Sequence, residues 1–210
     1  MSDRQDERPA RMFFTQNDIA DDERRALVEL LNQTLADTTD LLTQTKYAHW
    51  NVKGQNFYQL HLLFDELADE LFEHGDDIAE RATALGGEAR GTVRMAATNT
   101  RIPEIRTNAV TGLEYVEALA NNLALHAANL RGGIDAAISH GDQDTADLLT
   151  ELSREVDKYL WFLEAHLQRE PIQSTNGRRE PEAPPQNQNQ NPEAPQPEPR
   201  RYEQGPQSTR

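Results

Sequence analysis

Residues 46–81 read KYAHWNVKGQNFYQLHLLFDELADELFEHGDDIAER. The segment closes one helix, turns, and opens another. Asn51 to Gln55, with Gly54, interrupts the apolar period. From about Asn56 onward Leu60, Leu63, Phe64, Leu67, Leu71 and Ile78 recur at the spacing of one helical face. Three of the chain's six histidines and a dense set of carboxylates lie on the same stretch, so an apolar-patterned helix also carries metal-ligand chemistry.

Working outward, the upstream segment from Asp21 places Leu27, Leu30, Leu31, Leu35, Leu41 and Leu42 on one helix face, with two aspartates at the positive end of its dipole. Downstream, the second helix runs to Leu85 and meets Gly86-Gly87, a natural C-terminal stop. Residues 88–107 contain Gly91, Pro103 and little periodicity, which predicts a long crossover with room for a short helical piece. Thr111 and Glu114 form a capping box before Leu113, Val116, Leu119, Leu123, Leu130 and Ile134. After the turn HGDQD, a last helix carries Leu148, Leu149, Leu152, Val156, Leu160, Phe162 and Leu163. No strand pattern competes. Four long helices with a long link between the second and third predict an all-α, ferritin-like four-helix bundle.

The polar residues are unevenly placed. Nine of the eleven prolines lie at or after Pro171, and residues 171–210 have no hydrophobic period, which predicts a disordered Pro/Gln-rich tail. With residues 1–15 as a flexible arm, the expected bundle spans residues 16–170. Both termini are balanced in charge, and the whole negative excess falls on residues 16–170, with 28 acids against 13 bases. So acidic a surface attracts cations and repels phosphate backbones. Cysteine is absent, which excludes disulfides and thiolate metal sites. No apolar run reaches membrane-spanning length and the N-terminus lacks a signal core, so the expectation is a soluble, cytoplasmic protein.

Function has to come from the site. Bundles of this class often hold two irons within one chain through Glu-x-x-His pairs on two helices. Three residues before the six histidines stand Lys46, Tyr58, Leu71, Leu123, Ala137 and Leu163, so no histidine has the required glutamate. His61, Asp65, Asp76 and Glu80 instead fall at roughly 0°, 40°, 60° and 100° around the second helix, all on one side. Asp65 and Asp76 are separated by roughly 16 Å along the axis, too far to share an ion. The pairs 61/80 and 65/76 share a midpoint between Glu70 and Leu71. Two copies packed antiparallel across a two-fold axis at that point would bring His61 and Asp65 of one chain to Glu80 and Asp76 of the other. His49, at the end of the first helix, can complete the set. Two imidazoles and three carboxylates suit Fe(II), and also Mn(II), Co(II) or Zn(II). His74, Asp77, Glu66, Asp69, Glu70 and Glu73 read as solvated, interface or cavity-wall groups.

At these residues the chain resembles the Dps family of mini-ferritins, over nearly all of residues 13–168. The most specific parts are HWNVKGQNFYQLHLLFDE and DDIAERATALGG. The resemblance implies a hollow homo-dodecamer with two-iron ferroxidase centres between two-fold-related subunits. Hydrogen peroxide or O2 would be the oxidant, and ferric mineral would be stored inside. It makes His49, His61 and Asp65 ligands from one subunit and Asp76 and Glu80 ligands from its partner. It also puts Trp50 and Trp161 near the centre, where large aromatics filling an interface are an equal reading. Asp142, Asp144 and Asp147 fall where the family has its three-fold pores, although helix capping explains at least one of them.

One family property is not supported. Many relatives bind DNA through a lysine-rich N-terminal arm, whereas this arm has no lysine, and the chain's three lysines are Lys46, Lys53 and Lys158. Binding by counterion release should be weak, with Arg4, Arg8 and Arg11, or the tail's Arg178, Arg179, Arg200 and Arg201, left to act by avidity on a shell. The competing function is a DNA-binding, nucleoid-protecting shell with structural metal sites. Metal-assisted hydrolysis has no nucleophile and base to support it.

Overall fold

The computed structural model describes residues 10–105 and 108–168. The expectations for most of the N-terminal arm and for the C-terminal tail lie outside the described residues. Five helices follow in order: α1 (Asp21–Asn51), α2 (Phe57–Ala84), α3 (Val93–Asn99), α4 (Gly112–Ser139) and α5 (Gln143–Leu167). Among the described residues the only extended pairing is the isolated bridge between Met12 and Gly87. The chain is an all-α bundle, with α1 along α2, α4 along α5, and α3 lying on α1 within the crossover.

Each helix end has a local cause. Thr111 and Glu114 make the capping box at the start of α4, the threonine hydroxyl accepting from the Glu114 N–H and the Glu114 carboxylate accepting from the Thr111 N–H. At the end of α2, Gly86 N–H donates to the Thr83 carbonyl and Gly87 N–H to the Ala82 carbonyl, both at 2.9 Å. That is the paired closure of a Schellman motif, and it requires the left-handed φ of 84° at Gly86. α4 ends the same way at Gly141, with Asp142 N–H reaching the Ala137 carbonyl.

The core is one continuous cluster. Leu27, Leu31 and Leu41 from α1, Leu60, Phe64, Leu67, Leu71 and Ile78 from α2, Leu119, Leu123 and Leu130 from α4, and Leu149 and Leu163 from α5 are all sealed from solvent. The crossover buries Ala96, Ile102 and Ile105 and is tied to the bundle by polar side chains as well. Asn32 donates to the Glu88 carbonyl and accepts from Arg90 N–H. Asp37 binds Arg101 through both backbone and guanidinium. Gln44 and Asn122 both donate to the Pro103 carbonyl. These clasps and the buried isoleucines hold the link against the bundle, while Trp50 of α1 and Phe72 of α2 stay exposed elsewhere.

No helix among the described residues is long and apolar enough to cross a membrane.

Candidate metal centre

The turn between α1 and α2 is tight, with Gly54 at φ 104° and Phe57 N–H donating to the Gly54 carbonyl. It sets the last turn of α1 antiparallel to the first turns of α2, and so brings His49 to His61. The two rings stack with centroids 3.8 Å apart and an interplanar angle of 19°. Their hydrogen bonds are reciprocal: His49 Nδ1–H donates to the His61 carbonyl at 2.8 Å, and His61 Nδ1–H donates to the His49 carbonyl at 2.9 Å. A carbonyl can only accept, so both rings carry their proton on Nδ1. Both Nε2 lone pairs are therefore free, the tautomer in which imidazole ligates metal, with the backbone fixing each ring. Phe57 stacks on the outer face of His61 at 5.1 Å.

Asp65 stands one turn along α2, its Oδ1 3.7 Å from His49 Nε2. The same oxygen accepts from Lys46 Nζ at 2.6 Å. The Lys46 hydrogen bond outweighs desolvation and holds the Asp65 carboxyl below its ordinary value. Lys46 thus acts as a built-in cation on this carboxylate. Neither the lysine's role nor the histidine lock was legible from spacing alone, because both depend on how the α1–α2 turn folds.

Asp76 and Glu80 are solvent-exposed further along α2. Among the described residues, no group of three or more His, Asp or Glu side chains surrounds a common point where an ion would sit. What one chain brings together is His49, His61 and Asp65. What it leaves apart is Asp76 and Glu80.

The surface carrying these residues is apolar between them. Phe72 is 61% exposed and Trp50 69% exposed. With Leu42, Thr43, Lys46, Ala68 and Asp69 they line a groove of about 400 Å³. Phe72 falls at roughly 20° on the scale that sets His61 at 0°, inside the arc of the four α2 candidates. An exposed phenylalanine within a polar stripe was the signal overlooked in the sequence. Trp161 is also exposed, but its ring contact is with Phe162 at 5.0 Å, and among the described residues it makes none with the two histidines.

Two of the other expectations change. His74 is not a solvated or interface group: its position on α2 joins the arc of Leu60, Phe64, Leu67, Leu71 and Ile78, and it is buried in the bundle. Asp142 is turned inward and buried. Both its oxygens accept from Arg81 Nη2, at 2.7 and 2.8 Å, and it caps α5 through Thr145 N–H. Its carboxylate is spent within the chain, so the expected pore role does not go to it. Asp144 and Asp147 are exposed at the start of α5.

Residues 28–171 match the family described as the ferritin-like domain. The "DNA protection during starvation protein" of Agrobacterium fabrum is 39% identical over 154 residues, 73% of this chain and 95% of that one. The chain belongs to the Dps family. Among solved structures, DpsC from Streptomyces coelicolor superposes with a TM-score of 0.72 at 32% identity, over 77% of this chain and 95% of its own. A Dps protein from Vibrio cholerae O1, described as a member of a broad superfamily of ferritin-like diiron-carboxylate proteins, matches with a TM-score of 0.66 at 26% identity, over 70% and 92% of the two chains. In a Dps chain, then, the histidine pair and Asp65 sit on an uncovered apolar face of α1 and α2. The bundle interior, where Glu-x-x-His sites would lie, holds no such pair.

Proposed function

We propose that the chain is an iron-oxidising and iron-storing mini-ferritin of the cytoplasm, whose ferroxidase centre forms only between two subunits. His49, His61 and Asp65 of one subunit would bind Fe(II) together with Asp76 and Glu80 of its two-fold partner, and six such dimers would enclose a cavity for ferric mineral. The observation that carries this reading is the reciprocal His49–His61 lock, which leaves two Nε2 lone pairs and Asp65 side by side on a face that one chain cannot complete. Two Fe(II) held together can each give one electron to hydrogen peroxide, which takes up two protons and leaves as two waters, so no hydroxyl radical is released. Dioxygen is the alternative oxidant. Asp144 and Asp147 are proposed to line the entry path for the iron.

Complementation tests the shared centre. The variants H61A/D65A and D76A/E80A should each oxidise Fe(II) with peroxide at close to the uncatalysed rate. Co-refolded in equal amounts they should regain about a quarter of wild-type activity, because half the random dimers carry one intact centre of two. No recovery in the mixture, with both variants folded and assembled, would mean that each chain works alone.

Direct DNA binding gains no support from the described residues. Arg11, one of the three arginines of the arm, is paired with Glu88 at 2.6 Å, and the net charge of the chain is −15.

A further inference from the structure

α1 packs against α2 and α4, and α5 packs against α4 and α2. α2 and α4 are therefore the diagonal pair, and each sends a histidine inward, the two close enough to interact electrostatically. α2 sends His74, 4% exposed, and α4 sends His126, 1% exposed. The hydrogen bonds of each ring identify its tautomer. Thr38 donates its hydroxyl proton to the Thr34 carbonyl at 2.9 Å, so its oxygen can only accept from His126 Nε2–H at 3.4 Å. His74 Nε2 lies 3.4 Å from Glu70 Oε1, an acceptor. Both protons are thus on Nε2, and both Nδ1 atoms carry lone pairs. Each Nδ1 is buried without a hydrogen-bond partner, a state that is costly unless something binds there.

We propose that His74 Nδ1 and His126 Nδ1 form a metal-binding site internal to each subunit, taking a divalent late-transition ion of the zinc class. Imidazole nitrogen suits such ions. The remote N–H of each ring is donated to a carboxylate or a hydroxyl, the outer arrangement that orients ligating histidines. Burial above all, with the charge of Arg101 adding to it, pushes His126 down to about 3, so its ring is neutral at pH 7 and its lone pair is available. A carboxylate, Glu70, stands 3.4 Å from His74 Nε2, where it offsets the charge of a bound cation. The opposing cation, Arg101, is paired with Asp37 at 2.6 Å. His74 lies roughly 140° around α2 from His61, so this site is separate from the interface and does not depend on its function.

The competing occupant is a buried water donating to both lone pairs. Crystals of the assembled wild-type protein soaked in Zn2+ separate the two. An anomalous peak at about 2.0–2.1 Å from both Nδ1 atoms is expected, and ordinary solvent density without anomalous signal would overturn the proposal. In solution, the H49A/H61A/D65A/D76A/E80A protein, stripped of all five interface ligands, should retain one Zn2+ per chain in equilibrium dialysis and give a visible Co2+ band. Adding H126Q should weaken that binding by more than the roughly 10- to 100-fold that loss of an outer partner costs. Unchanged Zn2+ retention in folded H126Q would count against the site. Should H126Q not fold, the anomalous map alone decides. Failure of the ferroxidase reading would appear in iron oxidation by the wild type, which this measurement does not touch.

Discussion

Asp37 is fully buried on α1, yet its two oxygens accept from Arg101 three times, at 2.6 to 2.9 Å, and more weakly from Gln33 and Asn129. Removing one partner of a buried pair leaves the remaining donors unpaired, so Asp37→Ala should lose about 3–5 kcal/mol in urea unfolding. A loss below about 1 kcal/mol would show that water replaces the carboxylate freely. This residue carries the end of the crossover, and nothing in its sequence surroundings marked it, because a lone aspartate among helical leucines reads as surface. His61, Asp65, Asp76 and Glu80 stand out as candidates for the opposite reason: their angles and common midpoint form a pattern that no single residue shows, whereas His49 is added from the end of the first helix. His74 was misread because its neighbours Glu70, Glu73, Asp76 and Asp77 are acidic, and a charged neighbourhood outweighed an angular position that belongs to the core face.

The helix ends were the most legible elements, since Gly86-Gly87 and Thr111 with Glu114 act through local backbone chemistry that spacing alone expresses. A Cβ on Gly87 would lie 2.4 Å from Val28 Cγ1 and 2.9 Å from the Ala82 carbonyl oxygen. Gly87→Ala must therefore force α1 and the end of α2 apart, and a Tm several degrees below wild type is expected, at a cost of about 1–3 kcal/mol. Asp142 joins three elements at once, ending α4, capping α5 and pairing with Arg81 of α2. Burial alone would raise its pKa, but the hydrogen bonds from Arg81 and Thr145 outweigh burial and hold it below the ordinary 3.8. The folded state therefore binds this proton less readily than the unfolded chain. Its contribution is complete above about pH 4 and is lost as pH falls through the depressed folded value. Asp142→Asn should lower stability at pH 7 and flatten the acid loss below pH 4 in chemical-denaturation curves. An acid limb as steep as the wild type's would assign that sensitivity to other carboxylates. The short α3 was only loosely foreseen, because its seven residues are held on α1 by contacts distant in sequence.

At the scale of the assembly, the proposed centre exists only if the apolar face of α1 and α2 is covered by a second copy, and Phe72 is the residue that ties the two ideas together. A two-fold axis between Glu70 and Leu71 would put the two Phe72 side chains only roughly 4.5 Å apart along the helix direction, in the middle of a face that would otherwise leave two large aromatics in water. Phe72→Asp exchanges an apolar contact for two carboxylates facing each other, which opposes association. Because Phe72 is 61% exposed in the single chain, the substitution should leave helix content by circular dichroism unchanged. Sedimentation should shift from the large assembly to the monomer, and peroxide-driven Fe(II) oxidation should fall with it, although all five proposed ligands are intact. Phe72→Ala should lie between the two in both measurements. If Phe72→Asp instead remains assembled and oxidises iron at the wild-type rate, the second subunit does not dock on this face, and Asp76 and Glu80 must serve elsewhere.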